Sequence, residues 1–187
     1  NKSFLSSFFT YGYSTCEGTP FSEIKELPKG KIRVFSNFNE HDSNISPLQF
    51  DQSVNNDKKD EVIDNIYELI TKAVNKKNYR SCSLYLSEGL DSQIINKILK
   101  NSCSEYKSIT INFDNFKNNE NKNYKSSNHE LINISSSELD SSLNDVLGYG
   151  GSLHSNPANL AFYILSKYSS NYSKVALTGG GGDELFY

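Results

Sequence analysis

The chain has 187 residues, of which 36% are hydrophobic, 12% aromatic and 22% charged, and its formal net charge is -3. That length holds one ordinary domain with a real core, while the acidic balance and the lack of any Lys/Arg stripe argue against a nucleic-acid partner. No run approaches the ~18 apolar residues of a membrane span, and the odd number of cysteines, Cys16, Cys82 and Cys103, shows no metal-ligand spacing. The expectation is a cytoplasmic protein with reduced thiols and no membrane partner.

Residues 1–56 hold turn signals at Gly18-Thr19-Pro20, Pro28-Lys29-Gly30 and Ser46-Pro47, and one strand pattern over 31–35. They read as a connecting segment and hairpin. The apolar stretch from Phe4 to Phe9 is short, and no basic segment or cleavage site frames it. From Asp57 the pattern changes, and 57–187 reads as a second region. Val62, Ile63, Ile66, Leu69, Ile70, Ala73 and Val74 recur at helical spacing, which predicts an amphipathic helix over 59–76 with Asp57 as its N-cap.

Cys82-Ser83-Leu84-Tyr85-Leu86 is short and largely apolar, a buried strand, and a Gly-containing turn leads into a helix over 92–101. Ser108 to Phe113, rich in β-branched residues, predicts a second strand. An Asn-, Ser- and Lys-rich loop follows to about Ser127, with at most a weak helix. A third strand over 130–134 and a helix over 137–147, starting behind Ser135 or Ser136, come next. Pro157 suits the first turn of a helix reaching about Ser170. Val175-Ala176-Leu177 then forms a fourth strand that feeds directly into Gly179-Gly180-Gly181-Gly182-Asp183. Alternating strands and helices predict an α/β fold with an open, mostly parallel sheet and flanking helices. Ligands of such sheets sit beyond the carboxyl ends of the strands, where both Gly-rich turns fall.

A Gly turn between a buried strand and a helix N-terminus presents unpaired N–H groups to an anion. In the turn after Leu86, Ser87 and Ser92 add hydroxyls and Asp91 adds an oxygen ligand suited to Mg2+. Taken alone, the turn reads first as an ordinary βα connection with Asp91 or Ser92 capping the helix. The second loop changes the balance: four consecutive glycines flush against an apolar strand suit a backbone that must approach a ligand closely. Asp91 and Asp183 are then placed to share one Mg2+ on the pyrophosphate of ATP. Neither a Walker A loop nor a G-x-G-x-x-G fingerprint is present.

Leu86-Ser87-Glu88-Gly89-Leu90-Asp91-Ser92 resembles the S-G-G-L-D-S pyrophosphate loop of the N-type ATP pyrophosphatases, most closely that of the synthetase domain of glutamine-hydrolysing asparagine synthases. Thr178 to Phe186 resembles that family's S-G-(D/E)-G-x-D-E-L-F segment. Phe9 to Gly30 resembles the passage that leaves the glutaminase domain, and Asn128-His129-Glu130 the stretch before the third strand. The resemblance implies an adenine nucleotide alpha hydrolase-like fold and a chemistry in which ATP adenylates aspartate and glutamine-derived ammonia displaces AMP. By resemblance, Ser87, Gly89, Asp91 and Ser92 hold pyrophosphate and Tyr85 and Ile111 flank the adenosine. Thr178 and Gly179 contact the nucleotide, and Asp91 and Asp183 hold Mg2+. A glutaminase domain is expected upstream in the same chain. The absence of Met, and the helix-like opening of Asp183 to Tyr187, make the expectation a fragment, incomplete at its C-terminus and inactive alone.

Two positions depart from the pattern. Glu88 stands at the first Gly of the pyrophosphate loop, and Gly180 stands where the family carries an acidic residue implicated in catalysis, so the catalytic residue is unassigned. Gln93 replaces a second Ser. These departures keep two alternatives open: a degenerate nucleotide-binding module, or a relative that adenylates another carboxylate. A relative acting on tRNA bases is disfavoured by the charge. His129 reads as a packing or surface residue, His41 as solvated, and His154 as lying in a polar loop that borders the substrate pocket in this family type.

Overall fold

The computed structural model describes residues 1–15, 18–36, 39–45, 58–76, 80–102, 105–113, 127–149 and 156–183. Two compact units divide the chain, Asn1–Asn56 with Leu147–Pro157, and Asp57–Val146 with Ala158–Tyr187. Cys16, Cys103, His154, the predicted cap Asp57, the loop 114–126 and residues 184–187 lie outside the described residues.

The first unit holds a helix, α1 (Lys2–Tyr11), that the short apolar stretch did not predict. Its ends are set locally. The Asn1 side chain accepts from Phe4 N at 3.2 Å, and Gly12 closes the helix at φ 78°, in the left-handed region that glycine adopts freely. The buried Ser7 hydroxyl then receives Thr15 N at 2.7 Å and fixes the chain leaving the helix. Two strands, β1 (Lys31–Ser36) and β2 (Asn39–Asn44), pair antiparallel with Arg33 opposite Asp42. Arg33 donates to both Asp42 oxygens, at 2.6 and 2.9 Å, and holds that carboxyl below the usual range. Every β2 residue is exposed, so no hydrophobic alternation marks it, and His41 lies on this strand with its side chain exposed.

In the second unit, α2 (Lys59–Asn75) starts behind Lys58, whose extended backbone makes no side-chain cap bond. Lys58, not Asp57, is therefore the cap residue, and the first turn relies on Asp60 and Glu61 near the positive helix end. Of the predicted stripe Val62, Ile66, Ile70 and Val74 turn inward, while Ile63, Leu69 and Ala73 stay exposed. There follow β3 (Cys82–Tyr85), α3 (Leu90–Ser102), β4 (Tyr106–Phe113), β5 (His129–Ile134), α4 (Ser136–Tyr149), α5 (Ala158–Ser169) and β6 (Ala176–Thr178). Ser135 caps α4 by accepting from Glu138 N at 3.3 Å.

These strands form one four-stranded sheet in the order β5-β4-β3-β6, and every pairing is parallel. This is the open α/β sheet expected. Each face carries its own core. Cys82, Leu84 and Leu86 pack with Ile98 and Leu99 of α3 and Val74 of α2. On the opposite face Ile109, Ile132 and Ile134 pack with Ile164 and Leu165 of α5. Burying each of these larger side chains contributes about 1.5–3 kcal/mol, and α5 is further held to α4 by Tyr163 donating to Asp145 at 2.9 Å and Tyr168 to Glu138 at 2.8 Å.

The connections give the sheet its functional edge. From β3 the chain steps through α3 to β4 and on to β5, then returns through α4 and α5 to place β6 on the other side of β3. Chain direction across the sheet therefore reverses between β3 and β6. A crevice opens at the carboxyl end of such a switch point.

Candidate functional site

β3 delivers its loop to that edge. Leu86 N donates to Ile109 O at 2.9 Å and Thr110 Oγ1 donates to Leu86 O at 2.7 Å, so the chain stays pinned to β4 until Leu86. It then turns sharply through Ser87, Glu88 and Gly89 into α3. The turn is wrapped around Ser92, which is 3% exposed. Its hydroxyl accepts from Ser87 N at 3.1 Å and has Ser87 O at 2.9 Å and Gly89 O at 3.0 Å as acceptors. Gln93 adds a brace, its amide donating to Ser87 O at 2.8 Å. Ser92 is thus an internal pin of the loop, whereas Ser87, Glu88 and Gly89 are exposed at its crest.

β6 delivers the second loop. Thr178 sits opposite Tyr85 in the parallel register, and its hydroxyl accepts from Gly180 N at 3.0 Å. The four glycines then differ in what they face. A Cβ on Gly179 would lie 2.8 Å from both Asp91 Cβ and Ser92 N, and one on Gly182 would lie 2.5 Å from Asp91 Oδ2. The close approach predicted for a ligand is thus made first to the other loop: Gly179 and Gly182 let the second turn lie flat against Asp91. Gly181 has φ 97° with open space around it, and at Gly180 the nearest atom to a Cβ would be Thr178 Oγ1 at 3.5 Å.

Between the loops and the sheet lies a cavity of about 370 Å³, within the size range of small-ligand pockets. Tyr85, Ser87, Gly89, Asp91, Ser92, Ile111, Thr178 and Gly179 all line it, together with Glu88 and Gly180. Asp183 does not. It is exposed and follows Gly182, the residue that lies against the Asp91 carboxylate. The cavity has two chemical ends. One is made of loop backbone, hydroxyls and the Glu88 and Asp91 carboxylates; among the described residues that line it there is no Lys, Arg or His. The other is apolar, with Ile109 and Ile111 from β4 and Ala158, Ala161, Phe162 and Leu165 from α5.

A model of the asparagine synthase family matches residues 65–187, which spans the sheet and both loops. The chain belongs to the asparagine synthase family. Membership carries an ATP-dependent amidating ligase function in general. A comparison with curated proteins gives no match. The Mg2+ that family chemistry implies fits the donor set: Asp91 presents a carboxylate over the Gly182 backbone at the polar end of the cavity. Among the described residues no three His, Cys, Asp or Glu side chains gather as a metal cage. Mg2+ bound through one or two carboxylates and substrate phosphates does not require one.

The α5 wall is the part of the candidate site that the residue pattern did not single out. Ala158, Ala161, Phe162 and Leu165 follow i, i+3, i+4, i+7 spacing, which is also the spacing of a plain core face. His129 takes no part in the cavity. It starts β5, where its Nδ1 lies 3.0 Å from Ser108 Oγ, and burial pushes its pKa down. Cys82 is buried in the core on β3. Among the described residues no helix is long and apolar enough to cross a membrane.

Proposed function

We propose that this chain carries the adenylating site of a glutamine-dependent asparagine synthase, which amidates aspartate through a β-aspartyl-AMP intermediate. The observation that carries this reading is the interlock of the two turns at the switch point, opening on a cavity with one polar and one apolar end. ATP matches that division. Its adenosine suits the apolar end, flanked by Tyr85 and Ile111, and its phosphates suit the loop crest. There the Ser87 hydroxyl and the first N–H groups of α3 face an anion, and the helix dipole favours it. Thr178 and Gly179 close the nucleotide's other side.

The reaction balances in two displacements. An aspartate β-carboxylate oxygen attacks the α-phosphorus, and the bond to the β-phosphate breaks to release pyrophosphate. Ammonia then attacks the acyl carbon, the acyl–oxygen bond breaks, AMP leaves, and the nitrogen loses a proton. The chain's residues hold the pyrophosphate in line and exclude water from the α-phosphorus. Asp91, with Asp183 next in sequence to the Gly182 that lies against its carboxylate, would hold Mg2+, which when bound neutralises charge on the phosphates. Glutamine hydrolysis belongs to a glutaminase domain upstream, and a cytoplasmic location with no nucleic-acid partner accords with the charge and composition.

ATP–pyrophosphate exchange with aspartate, run on the full-length protein, tests the proposal. Absence of exchange at saturating ATP and Mg2+ sinks it. A second reading, a nucleotide-binding module without catalysis, is favoured by Glu88, which brings a second carboxylate to a phosphate end whose described lining has no cation. Nucleotide binding without exchange, for aspartate and for other carboxylates, would select it.

A further inference from the structure

The apolar end of the cavity contains an aromatic ring whose exposure the core does not explain. Phe162 lines the cavity on α5 yet remains 42% exposed. Its neighbours along the same helix face, Ala158 and Ala161, are small and leave space beside the ring. Tyr85 stands across from it at 6.0 Å between ring centroids with planes tilted by 52°, an aromatic corner.

Tyr85 is locked in that corner. Its hydroxyl lies 3.1 Å from Ser166 Oγ and 3.0 Å from Ser169 Oγ, both on α5. The other hydroxyl at this end, on Thr110, donates to Leu86 O. The described side chains of the apolar end thus have their polar groups engaged with the protein itself. A ligand entering here meets a flat ring and aliphatic walls, and recognition falls to stacking area and to backbone groups.

We propose that Phe162 is the base-stacking residue of this site and that it selects purine over pyrimidine nucleotides by the area of the stacked face. The proposal rests on the nucleotide-site reading given above and adds the residue that sets base preference. An exposed ring in a concave apolar wall gains contact and loses water when a planar heterocycle covers it. A purine, with two fused rings, covers more of it than a pyrimidine.

The test is calorimetric titration of the full chain with AMP, CMP and magnesium pyrophosphate, for the wild type and for Phe162→Leu and Phe162→Trp. Leucine keeps apolar volume and removes the flat face; tryptophan keeps the face. Phe162→Leu is expected to weaken AMP about tenfold and leave magnesium pyrophosphate unchanged. Phe162→Trp should retain AMP binding, and the wild type should bind AMP more tightly than CMP. Wild-type AMP affinity in Phe162→Leu would overturn the proposal, and so would equal losses of AMP and pyrophosphate, which mark a structural residue. A wild type that binds neither AMP nor magnesium pyrophosphate refutes the nucleotide-site reading itself, and the stacking proposal falls with it.

Discussion

Alanine substitution along the four glycines after β6 separates the reasons for which each is glycine. At Gly179 the new methyl carbon would lie 2.8 Å from Asp91 Cβ and Ser92 N, against about 3.5 Å for a relaxed carbon contact. Both obstructing atoms belong to the rigid start of α3, so the second loop must move by roughly 0.7 Å. Overpacking of this kind costs about 1–3 kcal/mol, which lowers the melting temperature by roughly 3–10 °C in a chain of this size. Gly182→Ala meets the far end of the Asp91 side chain instead, at 2.5 Å from Oδ2. The carboxylate can rotate away, so the expected loss is in Mg2+-dependent ATP binding, with a smaller change in stability. Gly180→Ala meets only an ordinary contact at 3.5 Å; it should be neutral or raise stability by about 0.5 kcal/mol through the unfolded chain. Gly181→Ala has room, but φ 97° costs about 1–2 kcal/mol for a residue with a Cβ. Differential scanning calorimetry and ATP titration at varied Mg2+ measure the series. Equal damage from Gly179→Ala and Gly180→Ala would refute the interlock of the two loops.

Glu88→Gln removes charge without changing the demands of the backbone. At low salt it should tighten ATP binding on the order of fivefold, since like charges about 4 Å apart in water repel by ~1 kcal/mol; a further gain in Glu88→Gly would locate a backbone contribution. Unfolding measured against pH should show His129. Its folded pKa lies below the ordinary value because of burial, so the unfolded chain binds the extra proton first. Stability is therefore full above the unfolded pKa, about 6.5, and declines as pH falls below it toward the folded value. His129→Gln should flatten that part of the profile, and an unchanged slope would remove His129 from the account. Ser142 lies fully buried on α4 with no hydrogen-bond partner for its hydroxyl among the described residues. Ser142→Ala should raise stability by about 1 kcal/mol, read as a higher denaturant midpoint at unchanged slope.

What the residues alone determined is what local physics encodes. Alternating apolar runs and turn residues predict four strands and their connecting helices in the second unit, because a buried strand and an amphipathic helix each announce themselves by period. The parallel sheet follows from the alternation, and both loops fall at strand ends as expected. Signals weaken where burial is small. β2 is exposed along its whole length and α1 buries only Phe4 and Ser7, so neither carries a period long enough to be read. The exposed Ile63 and Leu69 of α2 show the converse, since an apolar stripe does not say how much of it a partner will cover.

Only the tertiary structure decided how the loop residues divide their work. Ser87 and Ser92 look alike in the sequence, yet Ser92 is buried as the pin of the turn and Ser87 is exposed at its crest. The four glycines look equivalent, yet Gly179 and Gly182 face Asp91 while Gly180 faces Thr178 and Gly181 open space. The α5 wall, and Phe162 in it, became part of the site because the long return through α4 and α5 brings that helix over β4 before β6 settles beside β3. Each of these depends on contacts between segments far apart in the chain, for which no local period or turn chemistry exists. The first Gly-rich loop marks the candidate site by its place between strand and helix, and its geometry is completed by a strand that arrives last.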